Sequence, residues 1–221
     1  MGLDMYLKKK YSKFRKDDGT FSMNWDDCKL DKFGRSNRVA FSEMVGYWRK
    51  DNHIHKWFVD NVQEGNDDCN EYYVSIKQLH ELRDICFDIL SKLNGMEIRV
   101  PNKYVNEFKE ANTKFYGNSK IQRIIIDANN LETVKSLTGY HILTNTQIEK
   151  CGCRTKLPTQ KGFFFGSYEY NGLYLHSLVD TIEMLDELFE KHKENDKKIK
   201  EDNKNNTSTA THFDYYYQAS W

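Results

Sequence analysis

The chain lacks any apolar run long enough to cross a membrane. Such a span needs about 20 consecutive apolar residues, and no stretch of this sequence approaches that length. The first ten residues, MGLDMYLKKK, contain no apolar segment and no cleavage signature, so we expect no secretory signal. These absences predict no membrane partner and a cytoplasmic location.

An excess of charge of one sign is also absent, because 33 Lys and Arg residues balance 33 Asp and Glu residues. A protein that coats nucleic acid needs a basic surface that displaces counterions. The balance therefore predicts no general nucleic-acid binding, although it leaves room for a local basic pocket.

Cysteines are few, and the common enzyme signatures are missing. The five cysteines are irregularly spaced, so we expect reduced thiols rather than a disulfide framework. The pair Cys151 and Cys153 has one intervening residue, whereas structural zinc sites use two to four, so we predict no metal and no cofactor. The chain has no Walker, GxGxxG, GxSxG or HExxH motif, which leans against catalysis without deciding it.

The pattern of apolar residues predicts one α+β domain over residues 1–221. Alternation in residues 1–7, the GFFFG segment at 162–166 and the aromatic C-terminal residues predict three strands. These strands would form a small, mainly antiparallel sheet packed against three to four helices.

Three helices are predicted from apolar stripes at spacings of three and four residues. The first runs from Ser42 to about Gln63, the second follows a capping box formed by Ser75 and Gln78, and the last begins near Leu173. We interpret residues 97–156 as an insertion, containing a helix opened by Pro101, a strand near 121–126 and a short helix near 131–137. The polar run at 191–209 predicts a solvated helix end and a flexible loop.

The first predicted helix carries polar residues in its apolar stripe. Asn52 and His55 interrupt that stripe one turn apart, beside Trp48. Either they are satisfied by neighbouring main chain, or they line a ligand pocket. Arg49 and Lys50 follow Trp48 directly, and a ring followed by two cations suits a nucleotide base and its phosphates, as well as an ordinary solvated helix edge.

Three further residues leave alternatives open. Asp4 lies on a predicted central strand, where it would pair with Arg49 or His55, or serve as a pocket carboxylate that recognises a ribose hydroxyl or a base amine. An enzyme would use His55 with Asp68 or Asp4. A thiol nucleophile made of Cys69 and His55 is the weaker version of this alternative, because free cysteines are usually small core residues.

The C-terminal aromatic residues fit a core, a dimer interface or a stacking platform, so a homodimer is an open alternative. Together these arguments select a set of candidate ligand-binding residues and no catalytic or metal-binding ones: Asp4, Tyr47, Trp48, Arg49, Lys50, Asn52, His55, Asp68, Tyr217 and Trp221.

Four segments carry a resemblance to a family: MGLDMYL, YWRKDNHIHKWFVDNVQEGNDDCNEYYVS, LPTQKGFFFG and FDYYYQASW. They resemble small phage and bacterial proteins of uncharacterised activity, and residues 97–156 look longer than the connection usual in that family. The resemblance implies a phage or mobile-element context. We therefore expect a phage-encoded protein of the host cytoplasm that sequesters a nucleotide-derived immune signal, such as a cyclic nucleotide or an ADP-ribose derivative. The alternatives are a nucleotide-processing enzyme and a protein-binding inhibitor of a host defence system.

Overall fold

A computed structural model describes residues 2–107, 122–162, 164–205 and 212–221 of the chain. The strands are β1 (Asp4–Arg15), β2 (Phe21–Ser22), β3 (Arg38–Arg49), β4 (Tyr72–Val74), β5 (Glu97–Arg99), β6 (Arg123–Ile125) and β7 (Phe213–Ser220). The α-helices are α1 (Asn52–Asn61), α2 (Ile76–Lys92), α3 (Glu132–Lys135), α4 (Asn145–Cys151), α5 (Cys153–Lys156) and α6 (Gly172–Asn205).

The main sheet is antiparallel, and its first and last strands are neighbours. β1 pairs with β3 from Asp4↔Arg49 to Phe14↔Arg38, and on its other side it pairs with β7 from Asp4↔Ser220 to Tyr11↔Phe213. β7 then pairs with β4, while β2 pairs with the far end of β1. The α+β class and the antiparallel sheet with strands near both ends of the chain are confirmed.

One buried cluster draws side chains from the sheet and the helices. Met5 and Leu7 of β1 and Tyr215 and Tyr217 of β7 face α1, α2 and α6, because alternate residues of a strand point to the same side. Buried residues from 98 to 157 belong to the same cluster, including Ile98, Val134, Leu137 and Ile148. The part of the chain interpreted as an insertion therefore contributes directly to the core.

Two helices begin where their sequences predict. Ser75 accepts a hydrogen bond from the Gln78 backbone, and the Gln78 side chain accepts from the Ser75 backbone, which completes the predicted capping box of α2. α6 buries the predicted stripe, in which Leu175, Leu178 and Leu185 are fully buried. α6 continues to Asn205, so the helix end predicted within 191–209 extends to residue 205, and the rest of that segment lies outside the described residues.

Two predicted elements are wrong. Residues 42–49 belong to strand β3 rather than to a long helix, and α1 begins only at Asn52. Gly162 and residues 164–166 lie in a loop rather than in a GFFFG strand, and Phe164 has a positive φ of 66°, which a strand does not allow.

The region from 97 to 156 follows its predicted pattern where it is described. β6 and α3 occupy the predicted strand and short helix, and Pro101 precedes a short 3-10 helix over Asn102–Tyr104. The rest of the helix predicted after Pro101, from 108 onward, lies outside the described residues. Cys151 and Cys153 form a disulfide in the structure, which corrects the prediction of reduced thiols for this pair, whereas Cys28, Cys69 and Cys86 are free.

Candidate functional site

The predicted site residues separate into three places instead of one pocket. Asn52, His55 and Tyr217 belong to a buried polar network, and the Trp221 ring, which is 40% exposed, packs beside His55. Arg49 and Lys50 line a surface cleft. Asp4 and Tyr47 lie on the outward face of the sheet, where the Tyr47 hydroxyl donates to Asp4 and Arg49 Nε lies 3.7 Å from the same carboxylate.

Two of the ten predicted residues have other roles. Trp48 is buried in the core, where its Nε1 donates to Thr181 Oγ1 at 2.9 Å, so it offers no stacking surface. Asp68 accepts hydrogen bonds from Asn70 and from the Tyr72 hydroxyl in an exposed turn. Neither residue lines the cleft, and the burial of Trp48 corrects its predicted stacking role.

Asn52 is occupied entirely by neighbouring main chain. Its Nδ2 donates to the carbonyls of Phe165 and Ser167 at 3.0 and 2.9 Å, and its Oδ1 accepts from the Gln160 N–H at 2.9 Å. This is the first of the two alternatives that the sequence left open for Asn52. The residue fixes the 158–171 loop against the start of α1.

His55 is the centre of a buried relay between three elements. Its Nδ1 lies 2.8 Å from the Tyr217 hydroxyl and its Nε2 lies 3.0 Å from Asp67 Oδ1. Burial lowers the pKa of His55 despite the opposing charge of Asp67. In the neutral ring Nε2–H donates to the carboxylate, which can only accept, and Nδ1 accepts from Tyr217. The Trp221 ring packs 5.6 Å from the imidazole.

These contacts bear on the alternative of an enzyme in which His55 acts with Asp68 or Asp4. The carboxylate at His55 is Asp67, rather than the predicted Asp68 or Asp4. Asp67 also accepts from the Gln160 side chain at 3.3 Å. The relay therefore ties α1, the turn after it and β7 together.

The cleft lies where β3 passes into α1, and it faces the 158–171 loop and the start of α6. Its volume is about 200 Å³, and its polar lining comprises Arg49, Lys50, Asp51, His53, Ser167, Glu169 and Asn171. Lys50 turns the chain with a positive φ of 61°, while its N–H donates to the Leu3 carbonyl at 2.8 Å. Gly166 packs directly on that turn, because an added Cβ would lie 2.8 Å from the Lys50 carbonyl oxygen.

His53 is a cleft residue that was not among the candidates selected from the sequence. It is only 4% exposed because the Tyr174 ring of α6 packs 4.3 Å away, and burial lowers its pKa to about 3. Its Nε2 has no hydrogen-bond partner among the described residues. A buried ring nitrogen without a partner carries a free-energy cost that a ligand atom would relieve.

The start of α1 adds a second set of groups without partners within the helix, the backbone amides of its first turn. Asp51 occupies the N-cap position without making a side-chain cap hydrogen bond. The first amides of a helix have no partner within the helix, and the helix dipole places partial positive charge there. Lys50 has no carboxylate within ion-pair distance in the described part of the chain. The cleft thus joins a free ammonium group, a guanidinium group and the amides of a helix start.

Asp51 gives the cleft a pH-dependent charge. Burial, and then the negative charge of Asp180, raise the pKa of Asp51 to about 6. Between its unfolded pKa near 3.8 and this value the folded protein binds more protons than the unfolded chain, so the Asp51 contribution to stability falls as pH rises.

Asp51→Asn should remove this penalty. The free energy of unfolding of the variant relative to wild type is expected to increase by about 2–3 kcal/mol between pH 4 and pH 7.5. Urea denaturation at both pH values measures it, and Asp60→Asn on the exposed side of α1 is the control for loss of a carboxylate. A relative stability of Asp51→Asn that is the same at both pH values contradicts the assignment.

Comparison with known proteins adds no relative. No family model matches the chain, and no curated protein or solved structure matches it. Among the described helices none is long and apolar enough to span a membrane. In the same residues no group of three or more His, Cys, Asp and Glu side chains is arranged to hold a metal ion.

Proposed function

We propose that the protein binds the phosphate end of a nucleotide-type small molecule in the cleft and sequesters it without reaction. The observation that carries the proposal is the buried His53 Nε2, which lacks a partner beside Lys50 and the uncapped start of α1. Phosphate oxygens accept hydrogen bonds from all three kinds of group, and helix starts are common anion sites.

The carboxylates of the cleft favour a sugar phosphate over a bare anion. Asp51 and Glu169 line the same space as the two cations. A second phosphate beside them would be repelled, whereas ribose hydroxyls donate hydrogen bonds to carboxylates. The donor and acceptor groups therefore suit a phosphate followed by a ribose.

The outward face beside the cleft supplies a place for the base. Arg49 lines the cleft and lies on the same side of β3 as Tyr47, two residues earlier. Tyr47 is 44% exposed and offers an aromatic face, while Asp4 offers a carboxylate for a base amine. We therefore propose Tyr47, rather than Trp48, as the stacking surface, and Asp4 as the carboxylate that recognises the base.

The biological setting that we propose follows from the resemblance to phage proteins. A phage protein that holds a nucleotide-derived signal in the host cytoplasm would blunt a defence system that depends on it. The alternative, a protein-binding inhibitor, would need an exposed acidic surface, for which the acidic residues Glu64, Asp67, Asp68 and Glu71 are the candidates. Asp67 contacts His55, and Glu71 contacts Lys8 and Lys10, so much of that charge is engaged internally.

A thermal-shift series tests the proposal. ADP-ribose, AMP, a cyclic dinucleotide and inorganic phosphate are added separately to the protein. At a concentration about 100 times its Kd, a ligand of the folded state stabilises by about 2.7 kcal/mol, which raises Tm by about 5–10 °C for a chain of this size. Intact ligand recovered after denaturation supports sequestration, and a new product in mass spectrometry supports the enzyme alternative.

Lys50→Met should abolish most of this shift, because it removes the unpaired ammonium group and keeps the length of the side chain. Lys77→Met on α2 is the matched control, since Lys77 is exposed and remote from the cleft. We expect at least a tenfold loss of affinity for Lys50→Met and none for the control, measured by calorimetric titration. Equal affinities in the two variants, or no shift with any of the four compounds, would reject the cleft as the binding site.

A further inference from the structure

The outward face of the sheet carries a tyrosine on each of four adjacent strands. Tyr47 lies on β3, Tyr6 on β1, Tyr216 on β7 and Tyr73 on β4. We call these four residues the tyrosine face. They lie on the opposite side from the core, and Tyr47 and Tyr73 are 44% and 56% exposed. An outward sheet face is normally polar, so this concentration of rings is a feature that core packing does not require.

The rings form two cross-strand pairs. Tyr6 is opposite Tyr47 with ring centroids 5.6 Å apart, and Tyr73 is opposite Tyr216 with centroids 6.1 Å apart. Tyr6 is paired with Gln218, so Tyr216 is its diagonal neighbour on β7, at a separation of about 7–8 Å. The two pairs thus follow each other across the sheet, as successive stacking positions for the bases of a single strand would.

The tyrosine face is continuous with the cleft through Arg49. The cleft volume of about 200 Å³ is below the roughly 300 Å³ of the smallest typical ligand pockets. It therefore accommodates the phosphate end of a ligand, while the remainder extends past Arg49 onto Tyr47 and Tyr6. A mononucleotide would reach the first tyrosine pair, and only a longer chain would reach the second.

Cations are interleaved with the rings. Lys8 and Lys10 follow Tyr6 on the outward face of β1. Lys8 is directly opposite Tyr216 of β7, and the Lys10 ammonium lies 4.8 Å from the Tyr216 ring centroid. Both lysines contact Glu71, so this group of three side chains has a net charge of one positive unit. Binding on such a face depends more on stacking than on counterion release, and its salt dependence should be shallow.

We propose that the cleft and the tyrosine face together bind a short single-stranded oligonucleotide with a terminal phosphate in the cleft. This inference rests on the proposed function, whose ligand class it extends from one nucleotide to several. It is compatible with the balanced charge of the chain, because a strand held by stacked bases does not require a basic coat.

Fluorescence anisotropy with 5′-phosphorylated mono-, di- and tetranucleotides tests the inference. Affinity should rise from the mononucleotide to the tetranucleotide. Tyr216→Leu should weaken tetranucleotide binding about tenfold or more, which is the usual loss for one base–aromatic contact, and leave mononucleotide binding unchanged. Phe87→Leu, at an exposed ring on α2, is the control and should change neither.

The outcomes separate this inference from the proposed function. A tetranucleotide that binds no better than a mononucleotide, with no effect of Tyr216→Leu, overturns the inference and leaves the cleft as a phosphate site. Binding by neither compound overturns both. If tetranucleotide binding depends on Tyr216 but not on Lys50 or on the terminal phosphate, the tyrosine face binds oligonucleotides without the cleft. This result overturns the inference that one ligand occupies both. If Tyr216→Leu changes self-association in sedimentation and no oligonucleotide affinity, the face is an interface between two copies of the chain.

Discussion

Asn52→Ala is expected to lower the free energy of unfolding by about 3–4 kcal/mol. The substitution leaves the buried carbonyl of Phe165 and the partly buried carbonyl of Ser167 and N–H of Gln160 without their partners. An unpaired buried group costs about 1–3 kcal/mol, and a partly buried one costs less because water reaches it. The loss should appear as a lower urea midpoint with an unchanged slope, because the change acts on the folded state.

The matched control is Asn61→Ala at the other end of α1. The Asn61 side-chain amide donates one hydrogen bond, to the backbone carbonyl of Trp57. The backbone carbonyl of Asn61 accepts from the Gln78 side chain, and the substitution leaves that bond in place. We expect a loss of about 1 kcal/mol or less for the control. Equal losses for the two variants would show that the Asn52 hydrogen bonds do not hold the 158–171 loop.

Gly166→Ala is the second substitution with a large expected effect, about 2–4 kcal/mol. Gly166 has a φ of +94°, a region that residues with a Cβ adopt at a cost of roughly 1–2 kcal/mol. The added carbon would also lie 2.8 Å from the Lys50 carbonyl oxygen and 3.0 Å from Lys50 Cβ. Because the backbone of Lys50 must then move, phosphate affinity should fall together with stability.

Gly95→Ala isolates the conformational part of that loss. Gly95 also has a positive φ, +73°, but an added Cβ would meet no heavy atom within 4 Å. Its expected cost is about 1 kcal/mol, and its effect on phosphate affinity is nil. If chemical denaturation gives the two glycine variants the same stability, the close approach of Gly166 to Lys50 has no energetic consequence.

Elements with strong local signals were predictable from the sequence. The capping box at Ser75, the buried stripe of α6 and the alternation at the start of β1 each contain their own evidence, since the residues that define the element lie within it. The error at residues 42–49 has a physical cause. Val45, Tyr47 and Trp48 suit a strand as well as a helix, and pairing with the full length of β1 decides between the two.

The site was predictable only in part, because the burial and the partners of its residues depend on distant parts of the chain. Arg49 and Lys50, selected from the ring and the two cations in sequence, line the cleft, and their role in ligand binding stays a prediction. His53 and Asp51 were missed because their burial depends on α6 and on the 158–171 loop, more than 100 residues away. Asn52 and His55 were recognised as inward-facing polar residues, but their partners, Gln160 and Tyr217, could not be read from a local pattern.

The position of β7 between β1 and β4 constrains how the chain acquires its structure during synthesis on the ribosome. The hairpin of β1 and β3 can pair once about 50 residues have emerged, but β4 pairs with a strand that is made more than 130 residues later. Until β7 arrives, the Tyr217 partner of His55 is missing and the inner surface of the sheet is incomplete. Contacts of such high sequence separation slow folding and expose apolar surface to other chains. We therefore expect nascent chains that stop before β7 to depend on chaperones.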